Sequence, residues 1–372
     1  MTSNVSAGRT GNPTSRVEEN VQNSSATPQT APLLSVRDLK VQIPTPGGTL
    51  EAVRGVNFDL NPGEVLGLVG ESGSGKSVTL RALLKLHRAP IRVSGEVYYG
   101  GENLLTLPEN RLRSVRGGQI SMIFQEPMTA LNPVLTVGQQ ILENLLEHKH
   151  LRGKAALERA SELLDLTGIP SPRARLNDYP HQFSGGMRQR AMIAIALASE
   201  PKLLLADEPT TALDVTIQDQ ILRLLLRLRD TLSMSVILVT HDLGVVAQAC
   251  DRVAVMYGGR LMETAGVNAL FGGPRHAYTV GLLSSLPDVG AHRQPLRPIP
   301  GGPPDLRNLP AGCAFAPRCT YVTGACLGVE PPLQSVEPGH DSACIHHDQL
   351  GQLNSSHLPS STLPSSALEG PL

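Results

Sequence analysis

Gly70-Glu71-Ser72-Gly73-Ser74-Gly75-Lys76-Ser77 has the spacing of a phosphate-binding loop: Gly, four residues, then Gly-Lys-Ser/Thr. Its flanks agree with that reading. Residues 64–69 form a short apolar run with strand character, and residues 77–84 open with helical spacing. The glycines let successive backbone N–H groups turn toward one anion, and a helix N-terminus adds positive potential at the same point. The residues placed to hold phosphates are Ser72, Gly73, Ser74, Gly75, Lys76, Ser77 and Val78. Lys76 can reach the β- and γ-phosphates of a nucleotide, and the Ser77 hydroxyl can bind Mg²⁺. A glycine-rich turn without a ligand is the plain alternative, and the position between a strand and a helix argues against it.

The 372 residues are enough for a large core and for two or three structural units. Apolar residues make up 40% and charged residues 17%, which suits a soluble globular protein with polar tails. A net charge of −1 leaves no electrostatic footprint for nucleic acid, so no nucleic-acid partner is expected. No apolar run approaches the ~20 residues that span a bilayer, and the Ser/Asn/Thr-rich N-terminus has no apolar h-region. The expectation is a cytoplasmic chain that meets a membrane only through a partner.

Residues 1–31 carry almost no large apolar side chain and read as a disordered tail. Residues 35–43 and 52–60 are β-like runs joined by the loop Pro44-Thr45-Pro46-Gly47-Gly48. With residues 96–99 they predict an antiparallel sheet beside the phosphate loop. Short buried strands are predicted at 119–124, 202–206, 235–240 and 252–257, and helices at 137–151, 155–166, 185–198 and 217–232. Strands alternating with helices imply an α/β fold with a mostly parallel sheet covered on both faces. After Gly273 the texture changes: 287–312 is crowded with Pro and Gly, 313–348 holds four cysteines in little periodic pattern, and 349–372 reads as a second disordered tail.

The buried run Leu203-Leu204-Leu205-Ala206 ends in Asp207-Glu208. An acid at the C-terminal end of a strand near a phosphate loop is placed to hold Mg²⁺ through Ser77 and water, the role given to Asp207. Glu208 can then polarise the water that attacks the γ-phosphate, help worth about 10²–10⁴-fold. Standing alone, the two acids would read equally well as an exposed acidic loop.

Together these segments resemble the ATP-binding subunits of ABC transporters over residues 33–272. Residues 70–77 are similar to the Walker A motif, and 203–207 followed by Glu208 to the Walker B motif. Gln125 is similar to the Q-loop glutamine, and Ser184-Gly185-Gly186-Met187-Arg188-Gln189-Arg190 to the signature sequence. Ala212-Leu213-Asp214 resembles the D-loop and His241 the switch histidine. A lone Ser-Gly-Gly is a weak signal; six motifs in order are specific. The resemblance implies a mostly parallel core sheet, an antiparallel β subdomain and a helical subdomain at about 134–182. It also implies that Ser184, Gly185 and Gly186 close on the ATP held by an opposite subunit, that Asp214 contacts that partner, and that Gln125 touches Mg²⁺ or water. The loop of Gln125 would also face the membrane subunit, and His241 would bond the γ-phosphate or orient Glu208. Read physically, Ser184 and Asp214 are also good helix N-caps, and a strand-end histidine is more often structural. One departure stands out: the family stacks adenine on an aromatic residue near Ile43, and residues 35–55 contain none, which leaves Ile43 or Val53 as the surface for the base.

Cys250 stands alone and reads as a buried free thiol. Cys313, Cys319, Cys326 and Cys344 follow the spacing C-x₅-C-x₆-C-x₁₇-C, without the tight C-x₂-C of common zinc ribbons. Four thiolates can hold Zn²⁺ or an iron–sulfur cluster. The resemblance narrows at Gln125-Glu126-Pro127-Met128-Thr129-Ala130-Leu131-Asn132-Pro133, at Pro274-Arg275-His276-Ala277-Tyr278-Thr279 and at Pro317-Arg318-Cys319. These are similar to the dipeptide and oligopeptide importers, whose C-terminal extension would occupy residues 273–348. Some members carry a [4Fe–4S] cluster there, so the resemblance favours a cluster on these four cysteines, with zinc as the alternative.

The expected function is ATP hydrolysis that energises import of di- and oligopeptides, with ATP and Mg²⁺ as cofactors. The expected partners are a second ATPase subunit, preferably a different one, two transmembrane permease subunits and, indirectly, an extracytoplasmic solute-binding protein. That places the chain at the cytoplasmic face of the cell membrane. Nickel or another small solute as cargo stays open, because the ATPase does not touch what is carried. A soluble ABC ATPase would be expected to bring a coiled-coil insertion or a second cassette, and neither is visible. A metal- or redox-responsive regulator built on the cysteines is the other alternative.

Overall fold

A computed structural model describes residues 31–211, 213–286 and 298–353; nearly all of the expected N-terminal tail, the end of the expected C-terminal tail and the first part of the Pro/Gly-rich segment lie outside these. Among the described residues twelve strands are formed: β1 Leu34–Thr45, β2 Gly48–Leu60, β3 Val65–Val69, β4 Arg92–Tyr99, β5 Glu102–Asn103, β6 Ile120–Ile123, β7 Leu203–Asp207, β8 Ser235–Thr240, β9 Arg252–Tyr257, β10 Arg260–Gly266, β11 Gln334–Glu337 and β12 His340–Ser342. They make two sheets. The larger has the order β11-β12-β10-β9-β3-β8-β7-β6, in which β9, β3, β8, β7 and β6 run parallel. The smaller, β2-β1-β4-β5, is antiparallel, as expected from the β-like runs at 35–43, 52–60 and 96–99.

The two-residue period of the strands divides the core. Val65, Val69, Leu204, Ala206, Val236, Leu238, Val253 and Val255 face one apolar cluster. Leu66, Leu68, Leu203, Leu205, Ile237, Val239, Ala254 and Met256 face the other. A strand buried on both faces needs an unbroken apolar run, which is what β3, β7 and β8 supply. The first cluster takes the helices Val137–Lys149, Gly153–Leu166, Gly185–Leu197 and Val215–Leu232. The second takes the antiparallel sheet and the helix Lys76–Leu83. Gly67 has no side chain because Cys250 packs over it: a Cβ there would lie 2.8 Å from the Cys250 sulfur. Cys250 is the buried free thiol expected, and burial pushes its pKa up to about 12.

Helix starts follow local capping chemistry. Thr136 accepts from the Gln139 N–H while the Gln139 side chain accepts from the Thr136 N–H, a closed capping box that fixes the entry to Val137–Lys149.

Three expectations are corrected. The loop at 44–48 is largely strand, because β1 and β2 run on as a hairpin to the pair Thr45 and Gly48. The cysteine-bearing extension is not wholly irregular: β12 pairs with β10 and β11 with β12, so it lengthens the main sheet. The buried Glu263 of β10 accepts from His340 Nε2 of β12 at 2.7 Å and fastens that addition. The helix His347–Leu353 passes the expected start of the C-terminal tail at 349.

Candidate active site

The loop after β3 is built by close backbone approach. A Cβ at Gly70 would lie 2.1 Å from the Met256 carbonyl oxygen, and one at Gly75 2.6 Å from that of Ala52. Gly75, at φ 106, directly precedes the helix Lys76–Leu83. Lys76 is buried, and its Nζ donates to the carbonyls of Gly70 at 2.7 Å and Glu71 at 2.9 Å and to Ser74 Oγ at 3.4 Å. Burial lowers the Lys76 pKa, against the opposing pull of Glu208, Asp207 and Glu71. Ser72 and Gly73 are exposed, Ser74 and Gly75 buried, and Ser77 and Val78 half-buried, so the loop has one open side.

Asp207 ends β7 with no exposed surface. Its Oδ1 accepts from Ser77 Oγ at 2.6 Å, and Arg81 Nη2 stands 3.8 Å from Oδ2. Oδ2 itself makes no hydrogen bond among the described residues. Burial raises the carboxyl pKa, opposed by the Ser77 hydrogen bond and by Arg81. A buried carboxylate with one open oxygen beside a serine hydroxyl is a donor set that suits a hard divalent cation, so these residues fit Mg²⁺.

Glu208 follows at φ 47, in the left-handed region that few non-glycine residues adopt. Its Oε2 accepts from Gln125 Nε2 at 2.9 Å and from Thr211 Oγ1 at 2.8 Å, and lies 3.5 Å from His241 Nδ1. Gln125 lies two residues past β6, and Glu208 and His241 directly follow β7 and β8, so the ends of three parallel strands converge on one carboxylate. Asp207, Glu208, Gln125, His241 and Ser77, all candidates from the sequence, are thus gathered in one place. Thr211 and Arg81 join them and were not foreseen. Thr211 had a signal in lying three residues beyond Glu208, and Arg81 in lying one helical turn beyond Ser77.

Other expected residues stand apart. Ser184 caps the helix Gly185–Leu197 by accepting from the Met187 N–H at 3.3 Å, and Asp214 caps Val215–Leu232 by accepting from the Ile217 N–H at 2.9 Å. Among the described residues, no hydrogen bond or ion pair links Ser184, Gly185, Gly186 or Asp214 to the phosphate loop. Val53 is fully buried and offers adenine no surface, which corrects that expectation; Ile43 is half-buried.

Cys313, Cys319, Cys326 and Cys344 line one apolar cavity with His276, Phe315 and Tyr321. Cys319 accepts from the Tyr321 N–H at 3.3 Å, and Cys326 from the Thr323 N–H at 3.5 Å. Burial raises the pKa of Cys313 and Cys319, and takes that of Cys344 to about 11. Among the described residues, no group of three or more His, Cys, Asp or Glu side chains is placed to hold a metal ion, so the expected cluster is not shown.

Known proteins match both parts of the chain. Residues 53–211 match the ABC transporter family, and residues 262–326 match the oligopeptide/dipeptide transporter C-terminal region. The oligopeptide transport ATP-binding protein OppD of Bacillus subtilis (strain 168) is 53% identical over 321 residues, covering 85% of this chain and 90% of that protein. OppD of Escherichia coli (strain K12) is 49% identical over 313 residues, covering 84% and 93%. Among solved structures, the ATP-binding cassette MJ0796 in a dimeric post-hydrolysis state with ADP and Pi superposes with a TM-score of 0.57. It is 29% identical and covers 63% of this chain and 98% of that one. With the nucleotide site and the C-terminal region matched in one chain, the protein belongs to the oligopeptide transporter family of ABC ATP-binding subunits.

Proposed function

We propose that this chain hydrolyses ATP to energise import of di- and oligopeptides through a membrane permease. The observation that carries the reading is the Glu208 carboxylate, held by Gln125 and Thr211 and faced by His241, directly after the Asp207–Ser77 pair. Lys76 and the loop N–H groups hold the β- and γ-phosphates, Glu208 takes the proton of the attacking water, and His241 orients that carboxylate. Ser77 and Asp207 would hold Mg²⁺, which would supply neutralisation of the phosphate charge when bound.

Ser184-Gly185-Gly186 starts a helix in which, among the described residues, the Gly185 and Gly186 N–H groups show no hydrogen-bond partner, which supports a second phosphate contact supplied to a partner subunit. A second, different ATPase subunit, two permease subunits and, indirectly, an extracytoplasmic binding protein complete the proposed complex. The chain is placed as a peripheral subunit at the cytoplasmic face, held there by the permease subunits; no helix among the described residues is long and apolar enough to cross a membrane. The test is reconstitution with its permease subunits and peptide-binding protein in vesicles. ATP-dependent uptake of labelled peptide supports the reading; ATP turnover that peptide does not couple to uptake overturns it.

The four thiols are proposed to hold a [4Fe–4S] cluster. The support is the all-sulfur donor set around one cavity and the N–H groups aimed at its sulfurs. Anaerobic purification with iron and sulfide analysis decides it: four irons with visible charge-transfer absorption agree, and stoichiometric zinc without iron contradicts.

A further inference from the structure

Glu71 is an acid inside a loop that must accept a polyanion. The C-terminal extension reaches back and engages it twice. Arg318 Nη1 and Nη2 lie 2.5 and 2.9 Å from the two Glu71 carboxylate oxygens, a bidentate pair between residues 247 positions apart. Tyr278 Oη accepts from the Glu71 backbone N–H at 2.8 Å.

Both partners are themselves fixed. The Arg318 side chain is 7% exposed, donates through Nε to the Pro300 carbonyl at 2.8 Å, and lies over the rings of Tyr257 and Phe315. Tyr278 is fully buried and packs on the same two rings, with centroids 4.6 and 5.3 Å away. The Lys76 ammonium binds the Glu71 carbonyl from the other side. One residue of the loop is therefore held at its N–H, its carbonyl and its carboxylate. Left unpaired, that carboxylate would repel incoming phosphates and compete for Lys76.

We propose that Arg318 and Tyr278 are positioning residues of the nucleotide site: they hold Glu71 and cancel its charge so that the phosphate loop can take a nucleoside triphosphate. The proposal rests on the nucleotide reading of residues 70–77. It makes the extension part of the ATP site as well as an addition to the sheet. Arg318 closes the short turn Ala316–Arg318 and is followed directly by Cys319, so the cysteine cavity adjoins this brace in the chain.

The test is a mutant cycle read by titration of MgATP on the purified full chain, with thermal unfolding of each variant alongside. Wild-type chain must bind MgATP; if it does not, the nucleotide reading itself falls, and this proposal with it. Arg318→Met is expected to weaken MgATP about tenfold, the scale of a lost charge-assisted hydrogen-bond pair. Adding Glu71→Gln in that background is expected to recover most of the loss. A double variant as weak as Arg318→Met alone overturns the proposal, as does an Arg318→Met that binds like wild type. Tyr278→Phe keeps the ring in its cluster and removes only the oxygen that accepts from Glu71. It is expected to raise KM for ATP at least threefold with a much smaller change in kcat. If Arg318→Met does not fold, Tyr278→Phe alone decides, and an unchanged KM overturns the proposal.

Discussion

The Ser77 hydroxyl donates to the Asp207 carboxylate at 2.6 Å, joining the start of the helix after the phosphate loop to the end of β7. The pair brings two motifs 130 positions apart into one donor set and leaves Asp207 Oδ2 as its open ligand. Ser77→Ala is expected to lower ATPase activity at limiting Mg²⁺ by at least about tenfold, with part of the loss recovered at high Mg²⁺. Steady-state turnover against Mg²⁺ concentration measures it; a uniform loss at all concentrations contradicts the ligand role.

Asp207 also sets a pH dependence. Burial raises its folded-state pKa above the ordinary 3.8. The sign follows from linkage: its stabilising contribution is full below about 3.8 and is lost as pH rises through the raised folded value. The metal-free protein therefore carries a strained carboxylate at neutral pH, and a cation there relieves it. Added Mg²⁺ is expected to raise the unfolding temperature more at neutral pH than in mild acid. An equal shift at both pH values contradicts the assignment.

The adenine end calls for a different measurement. Residues 35–55 hold no aromatic side chain, and Val53 is sealed in the core, so Ile43 is left as the apolar surface. GTP is expected to bind nearly as well as ATP. Ile43→Tyr is expected to tighten ATP, by up to about 1–3 kcal/mol on the scale of base–aromatic stacking. A strong ATP preference in the wild-type chain contradicts this.

Within the core, Gly67→Ala is expected to destabilise by about 1–3 kcal/mol, because the new methyl meets the Cys250 sulfur at 2.8 Å. Cys250→Ala in the same chain is expected to return part of that loss. Denaturant unfolding of the single and double variants measures both.

What the sequence made legible follows a physical division. The phosphate loop, the Asp207-Glu208 strand end and the Ser184 and Asp214 caps are local patterns, visible within a few residues of sequence, and their order along the chain is what made them specific. Val53 failed because alternation along β2 does not say which face the core takes until β1 and the central sheet are in place. The strands β11 and β12 failed because they are short and polar; pairing of β12 with β10 and of β11 with β12 defines them, not apolar periodicity. The Arg318–Glu71 pair spans 247 positions, a distance no local pattern bridges. An acid within a phosphate loop was nonetheless a visible demand for a cation.

The central claim is that Glu208 is the base for ATP hydrolysis, and retention of ATP by Glu208→Gln tests it most directly. The variant keeps an oxygen to accept from Gln125 and Thr211 and loses only the carboxylate charge. With radiolabelled ATP it is expected to bind nucleotide as the wild type does, recover it uncleaved, and turn over about 10²–10⁴-fold more slowly. Turnover equal to wild type, or recovery of the label as ADP at the wild-type rate, would contradict the account.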